Sequence, residues 1–155
     1  MALTIDKQIE ELNELIRFDF DAIGAYDSAI NDIKEIPVRD PLIRFRGDHE
    51  RHVQNLSQLV IRLGGKPAAG PDVKGFVRKT MTKVAGLGGT ELTLKAMKSN
   101  EEVLNKTYAH HLSLDFPDDI KQVIRGNYAD EQRHLAWVEQ ALQTRLWETG
   151  LGAHP

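Results

Sequence analysis

The feature of this sequence that most constrains its fold is an internal repeat of polar residues. The pentapeptide at 48–52, Asp-His-Glu-Arg-His, returns 82 residues later at 130–134 as Asp-Glu-Gln-Arg-His. The same offset relates Asp19 to Glu101 and Tyr26 to Tyr108. Each half therefore contains an acid, a tyrosine seven residues later, and a histidine 33 residues after the acid. Such a repeat indicates two related structural units that have to be interpreted together.

Each copy of the repeat has residue types that can bind a metal ion. On a helix, residues three apart share a face, so Glu131 and His134 can point toward the same ion. In four-helix carboxylate proteins, two helices each supply a Glu and the other two each supply a Glu-x-x-His pair. A single Glu-x-x-His also occurs by chance on a solvated helix face. Two copies in register, each with an acid at matched separation, favour metal binding.

Composition restricts the remaining possibilities. A chain of 155 residues, 41% hydrophobic and 28% charged, is expected to form a single soluble domain over 1–155. Its net charge of −3 provides no basic surface, so nucleic acid is not an expected partner. The lack of cysteine excludes disulfides, thiolate metal sites and thiol catalysis. The sequence shows neither a signal-peptide pattern nor an apolar run of about 18 residues, so we expect a cytoplasmic protein without membrane association.

Apolar residues at helical spacing predict the first helix, from about residue 4 to residue 36. Asp19 lies on the apolar stripe of this helix, where an ionised acid is costly to bury unless another group compensates it. Asp21 and Asp27 lie off the centre of the stripe and are expected to be solvated. Pro37 is expected to end the helix, because the residue before a proline is pushed out of the helical region.

The second helix is expected to begin at Asp40-Pro41, with Asp as the N-cap and Pro as the first helical residue. It runs to about residue 63 and places His49 and His52 on its apolar side. The short turn predicts that the first two helices are antiparallel neighbours. A long connection over 64–89 follows, with a short extra helix over 73–84 laid across the bundle.

The second half repeats the arrangement of the first. The third helix is expected over 90–114 with Glu101 on its apolar side, and the fourth extends to about 149 with Glu131 and His134 directed inward. His110 and His111 have no partner at ligand spacing and are expected at the surface.

The helices place six candidate metal ligands at one level of the bundle, because acid and histidine flank each short turn at comparable depth. The candidate ligands are Asp19, His49, His52, Glu101, Glu131 and His134. Six further residues are expected to support them: Asp48, Asp130, Arg51, Arg133, Tyr26 and Tyr108. The aspartates could accept the outward N–H groups of ligating histidines, and the arginines could pair with the aspartates. The tyrosines could hydrogen-bond a ligand or simply pack. No residue is assigned a catalytic role.

The motif at 130–134 resembles in full the Asp-Glu-x-Arg-His signature of the ferritin-like superfamily of diiron-carboxylate bundles. The pairing of an acid and a tyrosine in the first and third helices fits the same superfamily. The Gly-Gly-Lys-Pro linker and the third-helix segment Asn-Glu-Glu-Val-Leu-Asn-Lys-Thr-Tyr are similar to those of an uncharacterised bacterial ferritin-like branch suspected of stress roles. The resemblance implies an all-α fold, an antiparallel four-helix bundle with a long crossover between helices 2 and 3.

Two residues depart from the superfamily pattern. His49 stands where the first half should have a bridging Glu, and Asp19 is shorter than Glu by one methylene. The site would contain three carboxylates and three imidazoles in place of four and two. Because two divalent ions would leave this site with a net positive charge, the ferric state should be disfavoured. A single ion, or zinc or manganese, would be accommodated more easily, and the ligands alone do not identify the metal.

The resemblance implies an oxidoreductase in which paired iron or manganese ions activate oxygen or peroxide, as in ferroxidases or rubrerythrin-like peroxidases, under oxidative or metal stress. The alternative is a non-catalytic metal-binding or structural stress-response protein that stores, buffers or senses a metal. A bundle without metal would require the six polar residues to satisfy one another. Two iron ions are the expected cofactor, with manganese or zinc as alternatives. A homodimer formed through exposed apolar residues of helices 1 and 4 is also expected.

Overall fold

The computed structural model describes residues 2–71 and 89–148. Four long helices in this part of the chain form a bundle: α1 (Ile5–Asp32), α2 (Ile36–Arg62), α3 (Thr90–Leu112) and α4 (Asp118–Thr144). α1 packs against α2 and α3, and α4 also packs against α2 and α3. The predicted all-α bundle is confirmed. The short helix expected over 73–84 lies outside the described residues.

The start of α2 differs from the sequence-based expectation. The helix begins at Ile36 with Pro37 in its first turn, where a missing N–H removes no intrahelical hydrogen bond. Pro37 therefore lies in the first turn of the second helix and does not end the first, which already ends at Asp32. Pro41 lies inside α2, and Asp40 is an exposed helical residue and not the N-cap.

The last helix is also shorter than expected. α4 ends at Thr144, and Arg145 adopts a left-handed conformation with φ of 51°. This conformation turns the chain out of the helix, a role that glycine fills more often than arginine. The end expected at about residue 149 lies outside the described residues.

The bundle core consists of two apolar layers separated by polar residues. The first layer, near the α1–α2 turn, contains Tyr26, Ile33, Val38, Leu42, Phe45, Leu94, Met97 and Val138 among its buried residues. The second layer, near the α3–α4 turn, contains Leu12, Leu15, Ile16, Leu56, Tyr108, Phe116, Ile120 and Ile124. On every helix the candidate ligands lie between residues of one layer and residues of the other. Truncating a fully buried leucine in either layer should cost about 2–5 kcal/mol of unfolding free energy.

The sequence repeat relates one apolar layer to the other. Leu12 of the second layer corresponds to Leu94 of the first, 82 residues later, and Leu42 of the first corresponds to Ile124 of the second. Residues related by the repeat therefore lie in opposite apolar layers, on either side of the polar region.

The apolar face of α1 is wider than the sequence suggested. Asp21, expected to be solvated, is only 4% exposed, whereas Asp27 is exposed and pairs with Arg46. The reason is that α1 contacts both α2 and α3, so residues on two of its sides are covered.

The outer surface of the described residues carries scattered apolar side chains. The large ones are Ile5, Ile36, Ile43, Ile61, Leu92 and Val103. Among the described residues, α1 contributes only Ile5 to this set and α4 contributes none, so the surface gives little support to a dimer through these two helices. Within the described ranges, every helix is too short or too polar to cross a bilayer.

Candidate metal centre

All six candidate ligands meet in the polar region between the apolar layers. α1 supplies Asp19, α2 supplies His49 and His52, α3 supplies Glu101, and α4 supplies Glu131 and His134, each with no exposed surface. Their ligand atoms form two groups, within each of which the atoms lie no more than 4.8 Å apart. We call Asp19, His49, His52 and Glu131 the Asp19 group. We call His49, Glu101, Glu131 and His134 the Glu101 group.

The Asp19 group is tightly hydrogen-bonded. Oδ1 of Asp19 lies 2.8 Å from Nδ1 of His49 and 3.1 Å from Nδ1 of His52. Oε1 of Glu131 lies 3.3 Å from each of these nitrogens. The hydroxyl of Tyr108 donates to Oδ2 of Asp19 at 2.5 Å. Asp19 is therefore contacted by both halves of the chain.

The Glu101 group has the same arrangement of ligands, but its histidine nitrogens lie farther from the carboxylate oxygens. Oε1 of Glu101 lies 3.5 Å from Nε2 of His49 and 3.7 Å from Nδ1 of His134. Oε2 of Glu131 lies 3.8 Å from Nδ1 of His134. The hydroxyl of Tyr26 donates to Oε1 of Glu101 at 2.6 Å. These distances are too long for hydrogen bonds between the histidines and the glutamates.

Several buried ligand atoms consequently make no hydrogen bond. They are Nε2 of His49, Oε2 of Glu101, both carboxylate oxygens of Glu131, and Nδ1 of His134. A buried polar atom without a partner costs about 1–3 kcal/mol, and more when it is charged. A divalent cation among these atoms would satisfy several of them together, so the residues present fit a metal ion.

His49 and Glu131 are shared between the two groups. His49 directs Nδ1 toward Asp19 and Nε2 toward Glu101. Glu131 directs Oε1 toward the histidines of α2 and Oε2 toward His134. Each of these two residues can therefore offer one atom to either group.

An outer ring of charged residues holds two of the histidines. Nε2 of His52 donates to Asp130 at 2.9 Å, and Nε2 of His134 donates to Asp48 at 2.8 Å. Because Nε2 carries the donated proton, Nδ1 of each ring is directed at the candidate site. Each aspartate thus holds the histidine of the opposite half.

Two arginines close this ring. Arg51 lies 3.0 Å from Asp48 and 2.8 Å from Asp130, and Arg133 lies 3.0 Å from each aspartate. Their side chains are about half exposed. Burial opposes ionisation of Asp48, but hydrogen bonds from His134 and both arginines hold its pKa well below the usual range. Asp130 is held ionised chiefly by its hydrogen bond from His52, which lowers its pKa in the same way.

The acids hold the three central histidines in the protonated state when no metal is bound. Burial opposes protonation of His49, but the charge of Glu131 and the contact with Asp19 raise its pKa to about 9. Burial likewise opposes protonation of His52, whose bonds to Asp130 and Asp19 raise its pKa to about 11. Burial also opposes protonation of His134, but the bond to Asp48 and the contacts with Glu101 and Glu131 together raise its pKa to about 10. The metal-free site thus has positive charges that a bound cation would replace.

The three central acids respond differently to burial. Burial would raise the pKa of Asp19, but its bonds with His49 and His52 lower it. Burial is likewise outweighed at Glu101, whose pKa is lowered by its contacts with His134 and His49. Glu131 is the exception, because burial dominates and raises its pKa.

Residues 7–113 match the family described as "Domain of unknown function (DUF2383)". The chain belongs to the DUF2383 family. The matched region includes Asp19, His49, His52 and Glu101 but ends before α4. No curated protein matches the sequence of this DUF2383 chain.

The two groups of this DUF2383 protein have different neighbours at positions related by the repeat. Phe45 packs on His134 with ring centroids 4.3 Å apart and contacts Trp137 at 5.5 Å. The residues that correspond to Phe45 and Trp137 are Asn127 and Asn55, which hydrogen-bond each other at 2.9 and 3.0 Å. Asn127 also donates to the Tyr108 hydroxyl at 3.4 Å. Sequence reasoning missed this difference, although comparing the repeats position by position reveals it.

One histidine of the DUF2383 chain lies where the sequence did not place it. His110 is exposed, as expected, but His111 is only 1% exposed and faces α1. The expectation that both histidines lie at the surface is therefore wrong for His111. The burial of His111 could have been predicted from its position three residues after Tyr108, on the side of α3 that faces the core.

Proposed function

We propose that this protein binds two divalent transition-metal ions, iron most readily, in the core of a ferritin-like four-helix bundle. One ion would occupy the Asp19 group and the other the Glu101 group. The observation that carries the proposal is the convergence of buried carboxylate and imidazole atoms that have no hydrogen-bond partner. Such nitrogen and oxygen donors suit iron, manganese and zinc.

The proposed ligand roles follow from the directions of the side chains. His52 and His134 would bind through Nδ1, while Asp130 and Asp48 hold their Nε2 protons. Asp19 and Glu101 would each bind one ion, and Glu131 would offer one oxygen to each. His49 would bind one ion through one nitrogen and donate its remaining proton to an acid of the other group.

The helix arrangement supports the ferritin-like assignment. Along α1 and α4 the second apolar layer precedes the first, whereas along α2 and α3 the order is reversed. This order supports the proposal of two antiparallel hairpins, α1–α2 and α3–α4, joined by a crossover between parallel helices α2 and α3. We propose that the chain forms one such domain over 1–155.

The proposed activity is that of an oxidase or peroxidase. Bound iron or manganese would supply Lewis acidity and redox chemistry toward oxygen or peroxide. The chain itself excludes water from all six candidate ligands, which have no exposed surface. The Tyr26 and Tyr108 hydroxyls hold Glu101 and Asp19 in place by hydrogen bonds. A role under oxidative or metal stress, a cytoplasmic location and a homodimer remain predictions.

Elemental analysis and oxygen uptake would test the proposal together. Protein purified without chelator should retain iron or manganese, and metal-free protein should consume oxygen when ferrous iron is added. A His134→Ala variant should lose at least one ion per chain and the oxygen uptake. A His110→Ala variant is the matched control, because His110 is exposed, and it should behave as the wild type.

The possible results separate the two functions. Metal retention without oxygen uptake would support the non-catalytic alternative of storage, buffering or sensing. A wild-type protein that binds no transition metal would contradict the proposed metal centre itself.

A further inference from the structure

A third cluster of potential metal ligands lies outside the central site. It consists of Glu11 and Glu14 on α1 and His111 at the end of α3, with their ligand atoms within 4.8 Å of one another. Glu11 precedes Asp19 by eight residues, so it lies about 12 Å farther along the axis of α1. The cluster therefore shares no ligand with the central groups.

The orientation of the His111 ring fixes which nitrogen faces this cluster. Nδ1 lies 2.8 Å from the backbone carbonyl oxygen of Thr107. Because a carbonyl oxygen only accepts, Nδ1 must carry a proton and donate it. The other nitrogen, Nε2, is therefore the atom that can bind a cation.

Nε2 of His111 is buried next to acidic side chains, and this nitrogen makes no hydrogen bond. It lies 3.0 Å from Oε2 of Glu11 and 4.0 Å from Oε1 of Glu14. The side chain is 1% exposed, and Nε2 makes no hydrogen bond despite its short distance to Glu11. The second oxygen of Glu11 is 3.4 Å from Lys7, which leaves Oε2 directed toward His111. The contact with Glu11 does not give Nε2 a hydrogen bond, and a metal ion between the two atoms would bind both.

We propose that Glu11, Glu14 and His111 form a second, mononuclear site for a divalent transition ion such as zinc. Zinc binds imidazole nitrogen at about 2.0–2.1 Å and carboxylate oxygen at about 2.0–2.2 Å, which places two of its ligand atoms about 3–3.5 Å apart. The 3.0 Å between Nε2 of His111 and Glu11 fits this spacing. The imidazole ligand favours zinc over magnesium or calcium, which prefer oxygen.

The proposed site is accessible from solvent. Glu14 is 49% exposed, so an ion held by the three side chains can exchange without unfolding and can keep water as a further ligand. The ion would also connect the start of α1 with the end of α3. Binding should therefore raise the melting temperature of the protein.

Zinc titration of the full chain, followed by elemental analysis, tests this site. Zinc should bind at one position per chain whose zinc affinity is at least about tenfold lower in a Glu14→Gln variant. A His111→Gln variant should lose this position and retain the central ones. Glu10→Gln and His110→Gln are matched controls, because each alters an exposed neighbour of a proposed ligand, and both should bind zinc as the wild type does.

The outcome does not depend on the central metal centre. A Glu131→Gln variant, altered only at the centre, should keep this zinc ion, and its loss there would contradict a separate site. Unchanged zinc binding by Glu14→Gln and His111→Gln would mean that the cluster is only an ion pair and would overturn the proposal. If His111→Gln fails to fold, Glu14→Gln still decides, because its half-exposed side chain can be changed without disturbing the core.

Discussion

The Asp19 group and the Glu101 group are built from corresponding residues, yet their polar atoms are satisfied to different extents. In the Asp19 group, two imidazole nitrogens lie within hydrogen-bonding distance of one carboxylate oxygen. In the Glu101 group, Glu101 lies 3.5 Å from His49 and 3.7 Å from His134, Glu131 lies 3.8 Å from His134, and several atoms make no hydrogen bond. An ion in the Asp19 group must replace existing hydrogen bonds. An ion in the Glu101 group would instead bind atoms that have no hydrogen-bond partner. The first ion should therefore bind in the Glu101 group.

The side chains around the two groups also differ, and this difference likewise favours the Glu101 group for the first ion. His134 of the Glu101 group packs against Phe45, while Asp19 of the other group is linked through Tyr108 to Asn127. The Glu101 group thus has the less polar neighbours, among which electrostatic attraction to a cation is stronger. The repeat places ligands at equivalent positions, and single substitutions around them make the two positions chemically different.

The largest expected effect comes from Glu131, which belongs to both groups. A Glu131→Gln variant keeps the shape of the side chain but removes its negative charge from a buried site. We expect metal affinity at both central positions to fall by about 100-fold or more. Calorimetric titration with ferrous or manganous ions measures this loss, and Gln132→Ala, an exposed neighbour, is the control. Loss of only one ion would show that Glu131 serves a single position.

A smaller effect should separate the two groups directly. His134→Gln removes a ligand only from the Glu101 group, and His52→Gln removes the corresponding ligand only from the Asp19 group. Affinity for the first ion should fall at least about tenfold in His134→Gln and remain near the wild-type value in His52→Gln. The second ion should show the opposite pattern. Equal effects of both variants on the first ion would remove the proposed difference between the groups.

The smallest expected effect is a pH dependence of the metal-free protein. The folded-state pKa values of His49, His134 and His52 are raised to about 9, 10 and 11. A raised histidine pKa stabilises the fold fully below the unfolded value of about 6.5, and this contribution is lost as pH rises through the folded value. The melting temperature should therefore fall between about pH 7 and pH 11.

The same measurement on metal-loaded protein provides the comparison. Because a bound metal replaces the histidine protons, the melting temperature should change less over this range, and metal binding near pH 7 should release protons. Proton release is measured by titration calorimetry in buffers of different ionisation enthalpy. A metal-free protein that becomes more stable from pH 7 to pH 10 would contradict the charged state of these histidines.

Much of the fold and the site could be predicted from the sequence because the repeat supplies two independent observations of each feature. Helical spacing placed Asp19 and Glu101 on apolar faces, and the matched separations placed them at the depth of the histidines. Asp48 and Asp130, which were expected to accept hydrogen bonds from ligating histidines, lie within hydrogen-bonding distance of His134 and His52. Whether the six central residues bind metal remains a prediction.

Other features could not be predicted, because they depend on contacts between helices and not on spacing along one helix. Asp21 and His111 are buried because α1 and α3 cover each other's sides. The position of His49 between the two groups depends on the relative depth of α2 and α4. The start of α2 was misplaced because Asp40-Pro41 and Pro37 both have helix-start character, and local sequence does not decide between them.

The exchange of aspartates between the halves has a consequence for how such a chain can arise. Asp48 of the first hairpin holds His134 of the second, and Asp130 of the second holds His52 of the first. A lone hairpin would lack this bond from its histidine to an aspartate and from a histidine to its aspartate. An ancestral hairpin could therefore complete the arrangement only by associating with another copy of itself, and gene duplication with fusion would make that association permanent.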